Sequence, residues 1–190
     1  MSEKEGYLTV RNTMTIGMAS AALFVILNII GILIDGDWRP YDMICELGRS
    51  DSIVVSTLFT VNCIISGIGM IVCGYGIARR RIRPWVTLAY ICVSLIGVSL
   101  MVIGIFDMDS AVHEPFAFGL AFMMGITMTV MSIDDILYHR YGWVIVSITI
   151  ASGLLGVLIF IPEYGQSISL VTMLSWTLFR FGSCAKVGKV

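Results

Sequence analysis

The side chains best suited to chemistry stand in three short stretches. In IFDMDSAVHEPFAFG, Asp107, Asp109, His113 and Glu114 fall within eight residues. Histidine changes charge near neutral pH, so His113 is a candidate ligand, pH sensor or general base. An interfacial structural histidine is the competing reading. Ser110 is placed to cap the helix that follows. Glu114 suits that helix's dipole, and Pro115 fits its first turn. The second stretch, DGDWRPYDMICELGRSD, ends in Glu46, Arg49 and Asp51. Its length admits an ordinary solvated loop or a lid over a cavity. Met43 to Leu47 is expected to form a short turn on the membrane, with Ile44 and Leu47 facing inward and Gly48 ending it. In the third, Asp134 and Asp135 precede Tyr138, His139 and Arg140. Adjacent acids point about 100° apart on a helix, so they do not form a carboxylate dyad by sequence alone. They also oppose the dipole at a helix C-terminus, and Arg140 or the Arg79–Arg83 cluster is the expected compensation. Glu163 stands apart, nearer the C-terminus.

Several chemistries are excluded. The two histidines, His113 and His139, are 26 residues apart. Along a helix that is roughly 39 Å, too far to share one metal or haem. His113 with neighbouring carboxylates would hold a hard or borderline cation only weakly, and the spacing is unspecific. No metal and no cofactor is therefore expected. The five cysteines form no C-x-x-C pair, which removes a thiol-redox motif. Neither a G-x-S-x-G elbow nor the G-x-G-D of an aspartyl intramembrane protease is present.

The elements that must carry these residues follow from composition. Of 190 residues, 57% are hydrophobic and only 13% are charged. A soluble domain carries roughly 25% charged residues. With a mean hydropathy of +0.92, a soluble enzyme, a disordered chain and a nucleic-acid binder are ruled out, and a polytopic membrane protein remains. Six apolar runs are long enough to read as spans, at about 13–34, 52–78, 85–106, 112–133, 143–161 and 167–181. The sixth is the shortest. The first is too long for a signal-peptide core and lacks a clean cleavage site, so it reads as a retained helix. The expected architecture is one all-α membrane domain, a six-helix bundle.

Charge orients it. With six spans, ten of the twelve bases share one side, and only Arg39 and Arg49 lie on the other. Basic loops stay inside, so both termini and Arg79–Arg83 are expected in the cytoplasm, with the chain multi-pass in the cell membrane. Nine of the thirteen acids fall outside. Small residues four apart mark expected close helix packing at Gly17 and Ala21, at Ala117, Ala121 and Gly125, and at Ser152 and Gly156. Met123, Met124, Met128 and Met131 read as lipid-facing or core filler, with a malleable apolar pocket as the alternative. Asn28 and Asn62 are placed to bond across helices.

Three segments in this order, ICELGRSDS, IFDMDSAVHEPFAFGLAF and PEYG…SISLVTMLSW, make the chain resemble a family of small archaeal and bacterial membrane proteins known as domain of unknown function 998. More distantly it is similar to the six-span autophagy-modulator group. The resemblance covers about residues 13 to 180. The family's first outer segment reads like I-S-D/E-L-G, which Ile44, Glu46, Leu47 and Gly48 match with Cys45 in place of serine. A histidine near its fourth span matches His113. Where the family often has Gly followed by Glu-Arg, Gly165 is followed here by Gln166 and Ser167. The resemblance implies a six-helix fold and no established activity.

The leading expectation is a ligand-binding or sensor-like membrane protein. Its outer pocket would be lined by Glu46, Arg49, Asp51, Asp107, His113, Glu114 and Glu163. Membrane lipids are the expected partners, with a homo-oligomer or a second membrane protein as further options. The alternatives are an intramembrane enzyme acting on lipid headgroups, with His113 as base, and a structural scaffold subunit.

Overall fold

The computed structural model describes residues 9–39, 42–80, 82–160 and 175–183, and every regular element among them is helical. The long helices are α1 (Val10–Asp35), α2 (Ile53–Ala78), α3 (Pro84–Ile105), α4 (His113–Leu137) and α5 (Tyr141–Phe160). A 3-10 helix, Ile44–Arg49, lies between α1 and α2, and residues 175–183 are also helical. Helices α1 to α4, of 22 to 26 residues, are long and apolar enough to cross a membrane. At 1.5 Å per residue they measure about 33–39 Å against a hydrocarbon core of roughly 30 Å. The sixth apolar run falls mostly outside the described residues, of which 175–181 belong to it.

Local chemistry sets the ends. Thr9 caps α1 by accepting the Asn12 N–H at 3.2 Å. Gly36, at φ 72°, ends it by donating its N–H to the Ile32 carbonyl, in the left-handed conformation that glycine adopts without a Cβ penalty. Pro84 opens α3, where a missing N–H is harmless. Two expectations are corrected here. Ser110 does not cap α4. Val112 occupies that position without a side-chain bond, while Ser110 Oγ accepts the Val112 N–H at 3.3 Å. Gly48 does not end the short outer helix but lies inside it. A Cβ there would stand 3.0 Å from the Phe59 ring, so the glycine serves close approach to α2.

Each helix packs on its neighbour in sequence, α1 on α2, α2 on α3, α3 on α4 and α4 on α5, as short connections require. α3 is the most enclosed of the four membrane-length helices. Glycine makes this possible. A Cβ at Gly97 would lie 2.4 Å from the Gly67 carbonyl oxygen, and one at Gly67 would lie 2.6 Å from that of Gly97. Gly74 meets the Tyr90 carbonyl oxygen at 2.4 Å in the same sense, and Gly104 meets Cys63 Cβ at 2.4 Å. These form a seam between α2 and α3, with Gly67 and Gly74 seven positions apart and Gly97 and Gly104 likewise. That spacing escapes a search for small residues four apart. Gly17, by contrast, stands against Cys73 and Phe181, and Ala21 is buried beside it. Of the expected stripe on α4, Ala117 packs against the core, but Gly125 faces open space and Ala121 is exposed, so it does not form a continuous seam.

Polar groups inside the bundle are mostly satisfied within it. Asn62 Nδ2 donates to the Phe24 carbonyl at 3.0 Å, joining α2 to α1, and Ser66 donates to Asn62 Oδ1 at 3.2 Å. Asn28 bonds the same Phe24 carbonyl from within its own helix at 2.8 Å, so only Asn62 bridges helices as expected. Met124, Met128 and Met131 are buried and Met123 packs against the same core. They are core filler rather than lipid-facing residues. A small apolar gap beside them, lined by Met124, Met128, Val93 and Trp176, has a volume of about 10 Å³, room for about one water and no ligand.

Candidate functional site

Polar side chains gather at both ends of α4. At the N-terminal end, the 3-10 helix is seated by Leu47, which is 1% exposed, with Ile44 packing against the core. Arg49 reaches across to the loop before α4 and pairs with Asp109 at 3.2 Å. Both partners are about half or more exposed, so the pair links two loops without contributing much stability. Asp109 was absent from the pocket expected from sequence. Glu46, Asp51, Asp107 and Glu114 are all exposed, and Asp107 accepts the Met108 N–H at 2.7 Å. Glu163 lies outside the described residues.

His113 differs from these. It is 5% exposed, and its Nδ1 donates to the Phe106 carbonyl oxygen at 2.9 Å, tying the start of α4 to the end of α3. A carbonyl only accepts, so Nδ1 carries a proton, and in the neutral imidazole Nε2 is the nitrogen that offers a lone pair. Nε2 is buried and has no hydrogen-bond partner. Buried polar atoms are nearly always paired, so an orphan of this kind marks a place with a use for it.

Beside this site the Cys45 thiol is pushed up from its usual value, first by burial and further by the Glu46 carboxylate. The thiolate is the nucleophile, so Cys45 should react slowly at neutral pH. Iodoacetamide labelling of the folded chain is expected to remain slower than that of a free cysteine at pH 8. It should accelerate only as the pH passes 9. Equal rates at pH 8 would contradict the half-buried placement beside Glu46.

The C-terminal end of α4 is built differently. The helix runs four residues beyond the expected end at 133, through Asp134 and Asp135. Charges end an apolar run in sequence, but pairing lets the helix continue. Asp134, 0% exposed, takes Arg83 Nη2 at 3.0 Å, the Trp85 indole N–H at 2.9 Å and Arg140 Nη2. Asp135 takes Arg180 Nη2 at 2.8 Å. Arg140 Nε stands 3.0 Å from the same oxygen, near enough for an ion pair although its N–H is not aimed at it. Arg83 also lies over the Tyr138 ring at 4.3 Å, and Arg180 over Trp143 at 5.0 Å. Arg140 and Arg83 are the partners that sequence suggested. Arg180 was missed, although an arginine within the apolar WTLFRFG signals a buried acid.

The comparison with known families decides the relationship. The family described as "Protein of unknown function (DUF998)" matches residues 18–181. The chain belongs to this family. The match takes in most of α1, the 3-10 helix, all of α2 to α5 and the clusters at both ends of α4. It brings no autophagy-modulator relationship with it. No curated protein and no solved structure matches the chain.

Proposed function

We propose that this DUF998 protein is a six-span protein of the cell membrane that binds a membrane ligand, a lipid headgroup, at its outer face beside His113. The observation that carries the reading is the buried His113 Nε2, unpartnered while Nδ1 is held by Phe106. The exposed acids Glu46, Asp51, Asp107 and Glu114 surround this end of the bundle, with Glu163 as a further candidate. Together they favour a headgroup that offers a hydrogen-bond donor, such as an ammonium or hydroxyl, to the Nε2 lone pair. Binding of such a ligand at a seated outer element is what a sensor-like protein requires.

Parity supports the sixth span. The N-terminal part of α1 and residues 175–183 lie together, since Gly17 stands against Phe181, and Phe181 stacks with Tyr90, whose hydroxyl meets Met14 Sδ at 3.7 Å. Arg180 joins the same end as Arg83 and Arg140. Two chain ends on one face require an even number of crossings, and the basic face belongs in the cytoplasm.

A bare Nε2 held by its Nδ1–H bond is also what a general base needs, which favours headgroup hydrolysis or transfer as the second reading. Native mass spectrometry of the full chain purified from membranes tests the first. A lipid retained by the parent and by His139→Ala, and lost in His113→Ala with the fold intact, is the expected result. Identical lipid content in parent and His113→Ala would overturn the reading. Turnover of that lipid, abolished in His113→Ala, would move the assignment to the enzyme.

A further inference from the structure

The segment between α3 and α4 is held unevenly. Its two ends are pinned together, because His113 Nδ1 donates to the Phe106 carbonyl oxygen at 2.9 Å. Between them the backbone makes two short turns. The Ser110 N–H donates to the Asp107 carbonyl at 2.9 Å, and the His113 N–H to that of Ser110 at 3.0 Å. The segment is otherwise loosely anchored. Phe106, Ala111 and Val112 are exposed, and Met108 is only half-buried. Segments with few buried apolar contacts open locally at low free-energy cost. Among the described residues, the polar tie from 107–112 to another element is the ion pair of Asp109 with Arg49 at 3.2 Å. Arg49 stands on firmer ground. Its 3-10 helix is seated by the buried Leu47, and Gly48 in the same helix approaches Phe59 of α2 closely. One end of the tie is fixed and the other is loose.

We infer that the Arg49–Asp109 ion pair is a latch that holds the 107–112 loop closed beside His113 and so controls access to Nε2. The buried Nε2 meets a partner only when a covering element moves, and the loop that its own ring pins is the loosely anchored one. The strength of the tie suits this task. An exposed ion pair shifts an equilibrium by at most about fivefold, so the loop opens and recloses instead of being locked. The tie also answers to salt, since the screening length falls from about 10 Å at 0.1 M to 3 Å at 1 M. The latch rests on the headgroup site proposed above for its purpose, but its action is measured without a bound headgroup.

Diethyl pyrocarbonate acylates an imidazole nitrogen that has a free lone pair. The acylation rate of His113, followed by peptide mass spectrometry on the full chain in phosphatidylcholine nanodiscs, therefore reads the open fraction. Exposed His139 is the internal reference. In the parent at low salt, His113 should react more slowly than His139. Asp109→Asn and Arg49→Gln should each speed His113 about two- to fivefold. The double variant should be no faster than either single one, because all three remove the same tie. The reversed pair Arg49→Asp/Asp109→Arg should return the rate toward that of the parent, which a general loosening of the loop would not do. Salt raised from about 0.1 M to about 1 M should speed the parent and leave the double variant unmoved. A parent rate equal to that of His139, an unchanged rate in both single variants, or a reversed pair as fast as the double variant would overturn the latch. The lipid reading is scored separately. A moved rate without His113-dependent lipid retention keeps the latch and removes the headgroup site. His113-dependent retention with an unmoved rate keeps the site and removes the latch.

Discussion

Asp135→Ala is expected to destabilise the protein by about 3–5 kcal/mol, because it strands Arg180 as a buried charge without its partner. Arg180 is 2% exposed and its 2.8 Å contact is with Asp135. Asp134 already holds Arg83 and Arg140, so it does not replace the lost carboxylate beside Arg180. For a chain of this size the loss corresponds to a Tm lower by on the order of 10 °C. Thermal unfolding in one detergent, scored by monodispersity, reads it. A control separates the pair from the site. Removing both charges as Asp135→Leu/Arg180→Leu should recover most of the loss, since apolar replacement of a buried ion pair is often neutral or better. A double variant as unstable as the single would show that the pairing is not what holds this end together.

Gly97→Leu is the second large effect. A Cβ at Gly97 stands 2.4 Å from the Gly67 carbonyl oxygen and 2.9 Å from the Ile71 amide nitrogen. Both are backbone atoms, so neither can rotate away as a side-chain tip can. α2 and α3 would have to separate along the whole seam, loosening Gly74 and Gly104 as well. Overpacking ordinarily costs 1–3 kcal/mol, and a clash against backbone on the central helix pair belongs at about 3 kcal/mol or above. The expected outcome is failure to yield monodisperse protein after mild heating. Gly125→Ala is the matched contrast. That position faces open space, so removing a helical glycine should stabilise by roughly 0.5–1 kcal/mol. If both substitutions behaved alike, the α2–α3 seam would not be a close-packed interface.

These two effects concern residues of unequal legibility. Arg180 stands out in sequence as a charge in an apolar segment, but its choice of Asp135 over Asp134 depends on where 175–183 meets α4. The glycine seam has a regular spacing of seven on both helices. The regular small residues on α4 form no such seam, since Ala117 packs against the core while Ala121 is exposed and Gly125 faces open space. Spacing alone cannot distinguish the two, because it describes one helix and not its neighbour. The outer residues divide in the same way. Their gathering at one end follows from loop order. The burial of His113, and the pairing of Arg49 with Asp109 rather than with Glu46 or Asp51, follow from packing.

Sequence alone determined the membrane class, the family, the approximate extents of the first five helices and the segregation of charge. Lipid imposes those features on every contiguous stretch, since a spanning segment must be apolar along its own length. Tertiary structure decided which small residues touch, which arginines share the two inner aspartates, and which histidine nitrogen is left bare. Those outcomes depend on pairs of groups brought together from different helices, and no local pattern contains the partner. The scarcity of charge made the ends of the bundle easy to find. Only the fold revealed that one end holds a network of buried ion pairs and that the other holds a buried, unpartnered nitrogen.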